Sequence, residues 1–149
     1  MLPAPVPGEA EIDRRPTARN VVLLRNIRLG TITNERRVDA LLDTGATYCV
    51  VPASVAFSLG FNERNRLGKQ AVDVVGGRVE MDLHKLEYVR AGTAQVYRVS
   101  FCVGDLGPAS RFMLLGLSFV ENFTTTLDFD RGRVLFRARE DRWERRIPR

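Results

Sequence analysis

From Val21 to about Phe136, apolar residues recur at alternate positions in short runs broken by glycine, proline and charged clusters. That is the pattern of half-buried strands, not of helices. Val21–Leu24 with Ile27, Leu29 and Ile32 predicts a first strand region, Thr33-Asn34-Glu35-Arg36 a hairpin turn, and Val38–Leu42 the returning strand. Tyr48–Val51 reads as strand again. Pro52 fits the first position of a short helix and Gly60 its stop, with Val55, Ala56 and Leu59 on one face. Residues 62–70 are polar and read as a loop.

Ala71–Val75 and Val79–Leu83 predict two strands joined through Gly76-Gly77. Val79, Met81 and Leu83 alternate with Glu80, Asp82 and His84, which puts His84 on the solvent face. The apolar parity slips at Leu86 and Tyr88 and predicts a bulge or bend there. A turn at Arg90–Thr93 leads into a strand through Tyr97, Val99, Phe101 and Val103. After a loop over 104–111, the wholly apolar Phe112–Leu115 predicts a strand buried on both faces. Ser118 followed by Glu121 matches a capping box for a short helix ending near Phe123. Thr125–Phe129 and Arg133–Arg137 form a last hairpin around Asp130-Arg131-Gly132. About nine or ten short strands and two short helices, with no βαβ alternation, define a mainly β class with closed or strongly curved sheets.

The ends differ from this body. Residues 1–18 hold Pro3, Pro5, Pro7 and Pro16 without periodicity and read as a flexible arm. The folded domain is expected over 19–137, and 138–149 is a charged tail rich in Arg. Trp143 in that tail either packs back on the domain or docks a partner.

Composition narrows the function. The chain has 149 residues, 44% of them hydrophobic, which suits one domain with a real core. No apolar run approaches the roughly 18 residues of a membrane span, and Met1–Pro7 lacks a basic segment followed by an apolar one. The expected location is cytoplasmic, or that of a soluble domain trimmed of a targeting or anchor segment. The net charge is +5, and Lys69 and Lys85 are the only lysines. The arginines are scattered, and only Tyr97-Arg98 and the stretch around Trp143 bring aromatics near them, so no nucleic-acid partner is expected. Cys49, Cys102 and His84 are too few for a four-ligand zinc site, and no G-x-S-x-G elbow exists. The two cysteines read as buried free thiols, with core packing the expected role of Cys49. No metal or cofactor is expected.

Candidate chemistry concentrates at Leu41-Leu42-Asp43-Thr44-Gly45-Ala46-Thr47. One carboxylate stands on a tight turn at the end of an apolar strand. Gly45 allows the tight path and exposes amides to the carboxylate, Ala46 leaves room for a water, and Leu41 and Leu42 bury the supporting strand. Hydrolysis without a metal or covalent nucleophile needs a water that loses a proton to one group while another protonates the carbonyl oxygen. Two neighbouring carboxyls sharing one proton meet that need.

Together with Met113-Leu114-Leu115-Gly116 and its short helix, this string resembles the active-site scaffold of the retropepsin-like (retroviral-type, single-domain) aspartic proteases. The elements arrive in the family's order over about Val21–Phe136, and the chain is closer to cellular and bacterial members than to viral ones. The resemblance implies an acid-protease half-barrel working as a symmetric homodimer, because Asp-Thr-Gly occurs once. It implies Asp43 as the catalytic carboxylate, paired with that of a second copy, Thr44, Gly45 and Ala46 as the supporting turn, and Thr44 hydrogen-bonding across the dimer axis. Val74, Val75, Gly76, Gly77 and Arg78 become a flap over a peptide, and Leu115 and Gly116 the scaffold loop. The implied function is an aspartic endopeptidase without cofactor. The alternative is a non-catalytic dimerisation or peptide-binding module on the same fold. Viral enzymes dimerise through interleaved terminal strands, for which neither the Pro-rich arm nor the charged tail is suited.

Overall fold

The computed structural model describes residues 2–14, 21–105 and 111–140, and the alternating apolar runs become ten strands among them. In chain order these are β1 (Gly8–Glu11), β2 (Leu23–Gly30), β3 (Glu35–Leu42), β4 (Cys49–Val51), β5 (Gly68–Val74), β6 (Gly77–Ala91), β7 (Ala94–Val103), β8 (Met113–Leu115), β9 (Phe123–Asp128) and β10 (Arg133–Ala138). Two short helices join them, α1 (Ala53–Ser58) after β4 and α2 (Leu117–Val120) after β8. One sheet has the order β2-β3-β8-β4-β7-β6-β5, and a further β2–β6 pairing closes its first six strands into a barrel. A smaller sheet, β1-β10-β9, lies beside it.

The central strand β8 runs parallel to β3 and antiparallel to β4. It is not buried on both faces as expected: Met113 and Leu115 on one face are fully buried, whereas Leu114 on the other is half-buried and lines a groove. The main core fills the barrel with Leu24, Ile27, Leu29, Leu86, Val99 and Phe101, and continues through Phe119, Phe123 and Phe136 to the smaller sheet. Two polar residues take positive φ to bend the wall. Asn26 (φ 56°) marks the register shift between Leu24 and Ile27, and its N–H donates to Asp39 Oδ1 at 3.0 Å. The parity slip foreseen at Leu86–Tyr88 is present, but the distortion falls on the partner strand. Arg98 (φ 57°) stands opposite Glu87, with Leu86↔Val99 and Tyr88↔Tyr97 paired on either side. Arg98 Nη1 meets Glu87 Oε1 at 2.6 Å.

Several expectations are corrected. The N-terminal segment is not a free arm. β1 pairs with β10, and Val6 and Gln95 exchange N–H···O bonds of 2.7 and 3.0 Å. The Glu9 N–H donates to Thr93 Oγ1 at 2.9 Å. The first hairpin turns at Thr31–Asn34, two residues before the predicted position, because Thr31 Oγ1 accepts the Asn34 N–H. The polar stretch 62–70 carries a 3₁₀ turn at Glu63–Asn65, capped reciprocally by Asn62 and Asn65, and the start of β5. His84 is 1% exposed, not solvent-facing, and lies between Phe61 and Phe101 with ring centroids 5.0 and 5.7 Å away. Ser118 does not cap α2. Gly116 takes that position, and Ser118 is buried. Trp143 lies outside the described residues, as do 141–149 of the tail.

Candidate active site

β3 carries Asp43 to the mouth of the barrel, where the backbone turns on small residues. The Asp43 N–H donates to the Leu115 carbonyl at 3.1 Å, and the Ala46 N–H to the Asp43 carbonyl at 3.2 Å. Asp43 Oδ1 accepts the Gly45 N–H at 2.9 Å, which orients the carboxylate along the turn. Behind it the Leu117 N–H donates to Ala46 O at 2.8 Å and the Ser118 N–H to Thr47 O at 3.0 Å. The Ser118 hydroxyl accepts the Cys49 N–H at 3.0 Å and gives its one proton to Ser100 O at 2.8 Å. The start of α2 thus ties the turn to β4 and β7. Gly116 makes this approach possible, because a Cβ there would stand 2.6 Å from the carbonyl oxygens of Ala46 and Tyr48. Any side chain would push the scaffold off the turn. Thr44 and Gly45 remain exposed, and Asp43 is half-buried.

Two depressions meet at Asp43 and Leu114. One, of about 200 Å³, runs from the turn to the β5–β6 hairpin and is lined by Tyr48, Val50, Gln70, Val72, Asp73 and Val74 among others. The other, of about 570 Å³, is a trough bordered by Val21, Val22, Leu41, Leu42 and Phe129. The hairpin turns at Val75-Gly76, one residue earlier than Gly76-Gly77, since Val74 pairs with Gly77. Gly76 and Gly77 adopt φ of 93° and 149°, which glycine takes without strain. Val75 is fully exposed, and Asp73 Oδ1 meets Arg78 Nε across the hairpin at 2.9 Å in solvent. At the base of the hairpin, Met81, Val72 and Leu83 pack on Val50, Cys102 and Leu114 in a small cluster apart from the main core. Val72 is not singled out for the site by the sequence, and Leu114 and Ser118 read there only as scaffold strand and helix cap. The placement of all three at the turn is tertiary, because only barrel closure brings them there.

Both cysteines are free and fully buried. Burial raises the Cys49 thiol, with the Ser118 hydrogen bond opposing, and pushes Cys102 up to about 11, with Cys49 adding. Both therefore stay protonated at neutral pH and do not act as nucleophiles. Among the described residues no three of His, Cys, Asp and Glu converge as metal ligands, and no helix is long and apolar enough to cross a membrane.

A closed barrel with one carboxylate on a braced Asp-Thr-Gly turn, facing a glycine-tipped hairpin, is the architecture of a single-lobe acid protease. The chain belongs to the aspartyl protease family, whose model matches residues 16–119. The crystal structure of a retropepsin-like aspartic protease from Rickettsia conorii is similar, with a TM-score of 0.64 and 21% identity over 89% of this chain and 92% of that one. The fold is retropepsin-like. No match is found among the curated proteins searched.

Proposed function

We propose that the chain is an aspartic endopeptidase whose active unit is a symmetric pair of copies, with the two Asp43 carboxylates facing one another across the axis. The observation that carries this reading is the single carboxylate held on a backbone-braced turn at the open end of a groove beneath a hairpin. One such group cannot both take a proton from water and give one to the carbonyl oxygen in the same step. Two close carboxyls share a single proton because both cannot ionise cheaply at short range. The ionised one takes the water's proton as its oxygen attacks the carbonyl carbon, and the neutral one protonates the carbonyl oxygen. Collapse of the tetrahedral intermediate returns a proton to the leaving amine.

In this reading Thr44 bonds across the axis, Gly45 holds the carboxylate through its N–H, and Ala46 leaves space for the water. Val74–Arg78 close over the peptide, whose side chain enters the groove beside Val50 and Val72. Leu115 and Gly116 hold the turn from below. The active form is the singly protonated pair, which titrates in two macroscopic steps, so the rate traces a bell on the acid side. The test is specific activity on a peptide library across dilution. Activity per chain falls as the pair dissociates, in step with sedimentation. A fully active, strictly monomeric chain would refute the paired mechanism.

A further inference from the structure

The outer wall of the barrel carries a row of like charges that the hydrolytic chemistry does not use. Arg28 on β2 is the register partner of Arg37 on β3 and of Arg90 on β6. All three face outward, since their neighbours Ile27, Leu29, Val38, Val89 and Ala91 are buried. Arg25 and Arg133 border the same depression, of about 540 Å³, with Glu9 and Glu11 on its β1 side. The ion pairs with nearby carboxylates are long. Glu35 stands 3.9 Å from Arg28, Asp13 4.0 Å from Arg25, and Glu9 4.0 Å from Arg133. Among the described residues no carboxylate lies within ion-pair distance of Arg37 or Arg90, and Arg90 Nε donates only to Gly92 O at 3.0 Å.

Like charges directly opposite one another on neighbouring strands repel, and a wall facing only water is more stable with alternating signs. Guanidinium forks match carboxylates two bonds at a time. We propose that this arginine row docks an acidic polypeptide segment carried by the protein substrate, outside the stretch that is cleaved. The proposal rests on the peptidase reading for the nature of its partner. A polynucleotide fits less well, because no aromatic lines the depression to stack its bases. Arg37 and Asp43 belong to one extended run, six residues apart. At about 3.3 Å per residue, an extended substrate needs at least about six residues between its cleaved bond and its acidic stretch.

The test measures binding of a fluorescein-labelled peptide of glutamates to the intact chain by anisotropy. Arg37→Gln with Arg90→Gln should weaken binding by about tenfold, as loss of direct charge partners does. Arg64→Gln with Lys69→Gln removes the same formal charge from exposed sites elsewhere and should leave affinity nearly unchanged. Equal losses in the two double variants would mean that net charge alone is at work, and would overturn the proposal. So would an oligonucleotide of equal length that binds more tightly and is lost with Arg37 and Arg90. Salt titration of the unaltered chain reads the same claim without relying on a variant's folding, and affinity that does not fall with salt also overturns it. The peptidase reading is tested apart from this. The Arg37/Arg90 variant should cleave a short neutral peptide normally and lose efficiency through KM only on a substrate with an acidic flank. A chain that cleaves nothing would end the peptidase reading and leave the binding result standing.

Discussion

The turn at Asp43 and the hairpin of β5 and β6 face each other across one groove and are built on opposite principles. The turn is held by backbone hydrogen bonds from β8, from the start of α2 and from its own glycine. The hairpin beyond Asp82 pairs only with itself, because the β6–β7 ladder starts at Asp82. Its tip is fully exposed, and its one cross-strand ion pair lies in solvent. A carboxylate positioned by main-chain atoms depends little on neighbouring side chains, whereas a two-stranded hairpin is marginal alone and moves at low cost. In the proposed peptidase, stiffness falls where the chemistry needs geometry, and looseness where the peptide must enter.

The contrast can be broken at its rigid end first. Asp43→Asn should lower the hydrolytic rate by about 10²–10⁴-fold, the range for losing a positioned acid–base group, with an unchanged melting temperature. Retained activity in the folded variant would remove Asp43 from the chemistry. Gly116→Ala should cost about 1–3 kcal/mol in denaturant unfolding through overpacking against Ala46 and Tyr48. An unchanged midpoint would mean that the turn yields and is not braced by Gly116.

A graded effect is expected from His84, on the strand that continues into the hairpin. Burial holds its imidazole below the ordinary value, while Asp82 pulls it upward. The folded state therefore favours the neutral ring. Its contribution is complete above the unfolded value near 6.5 and is lost as pH falls toward the lowered folded value, because the unfolded chain takes up the proton first. Melting temperatures across that window should drop less in His84→Phe, which keeps an aromatic between Phe61 and Phe101. Equal drops would rule out His84 as the source. At the loose end, a double-mutant cycle on Asp73 and Arg78 should give a coupling of only about 0.2–1 kcal/mol, since both side chains stand in water. A larger value would mean that the hairpin is more ordered than its exposure implies.

What the sequence revealed follows the same division. Asp43, Thr44 and Gly45 are legible because the turn's backbone demands are local, whereas Gly116 is marked only as a glycine and its demand, the close approach of Ala46 and Tyr48, is tertiary. The hairpin is legible from its two glycines and the alternation around them. His84 is misread because β6 changes its inward parity twice. It passes from Met81 in the small cluster to His84 and Leu86 in the barrel, then to Val89 and Ala91 past the distortion at Arg98. A period of two holds only while a strand keeps the same neighbours. Ser118 matches a capping pattern in sequence, but its hydroxyl serves Cys49 and Ser100, and no local rule carries that information. The prolines before β1 suggested a free arm, and only the pairing with a strand at the far end of the chain shows otherwise.

That pairing has a consequence for solubility. β1 occupies an edge of β10 that would otherwise present unmatched amides and carbonyls, with Ala10 covering Val134 in register. A bare edge of this kind recruits strands from other molecules. The segment before Asp13 therefore acts as a built-in guard against self-templated assembly. A chain shortened past Ile12 should give β-rich aggregates that grow with concentration, seen by light scattering below its melting temperature.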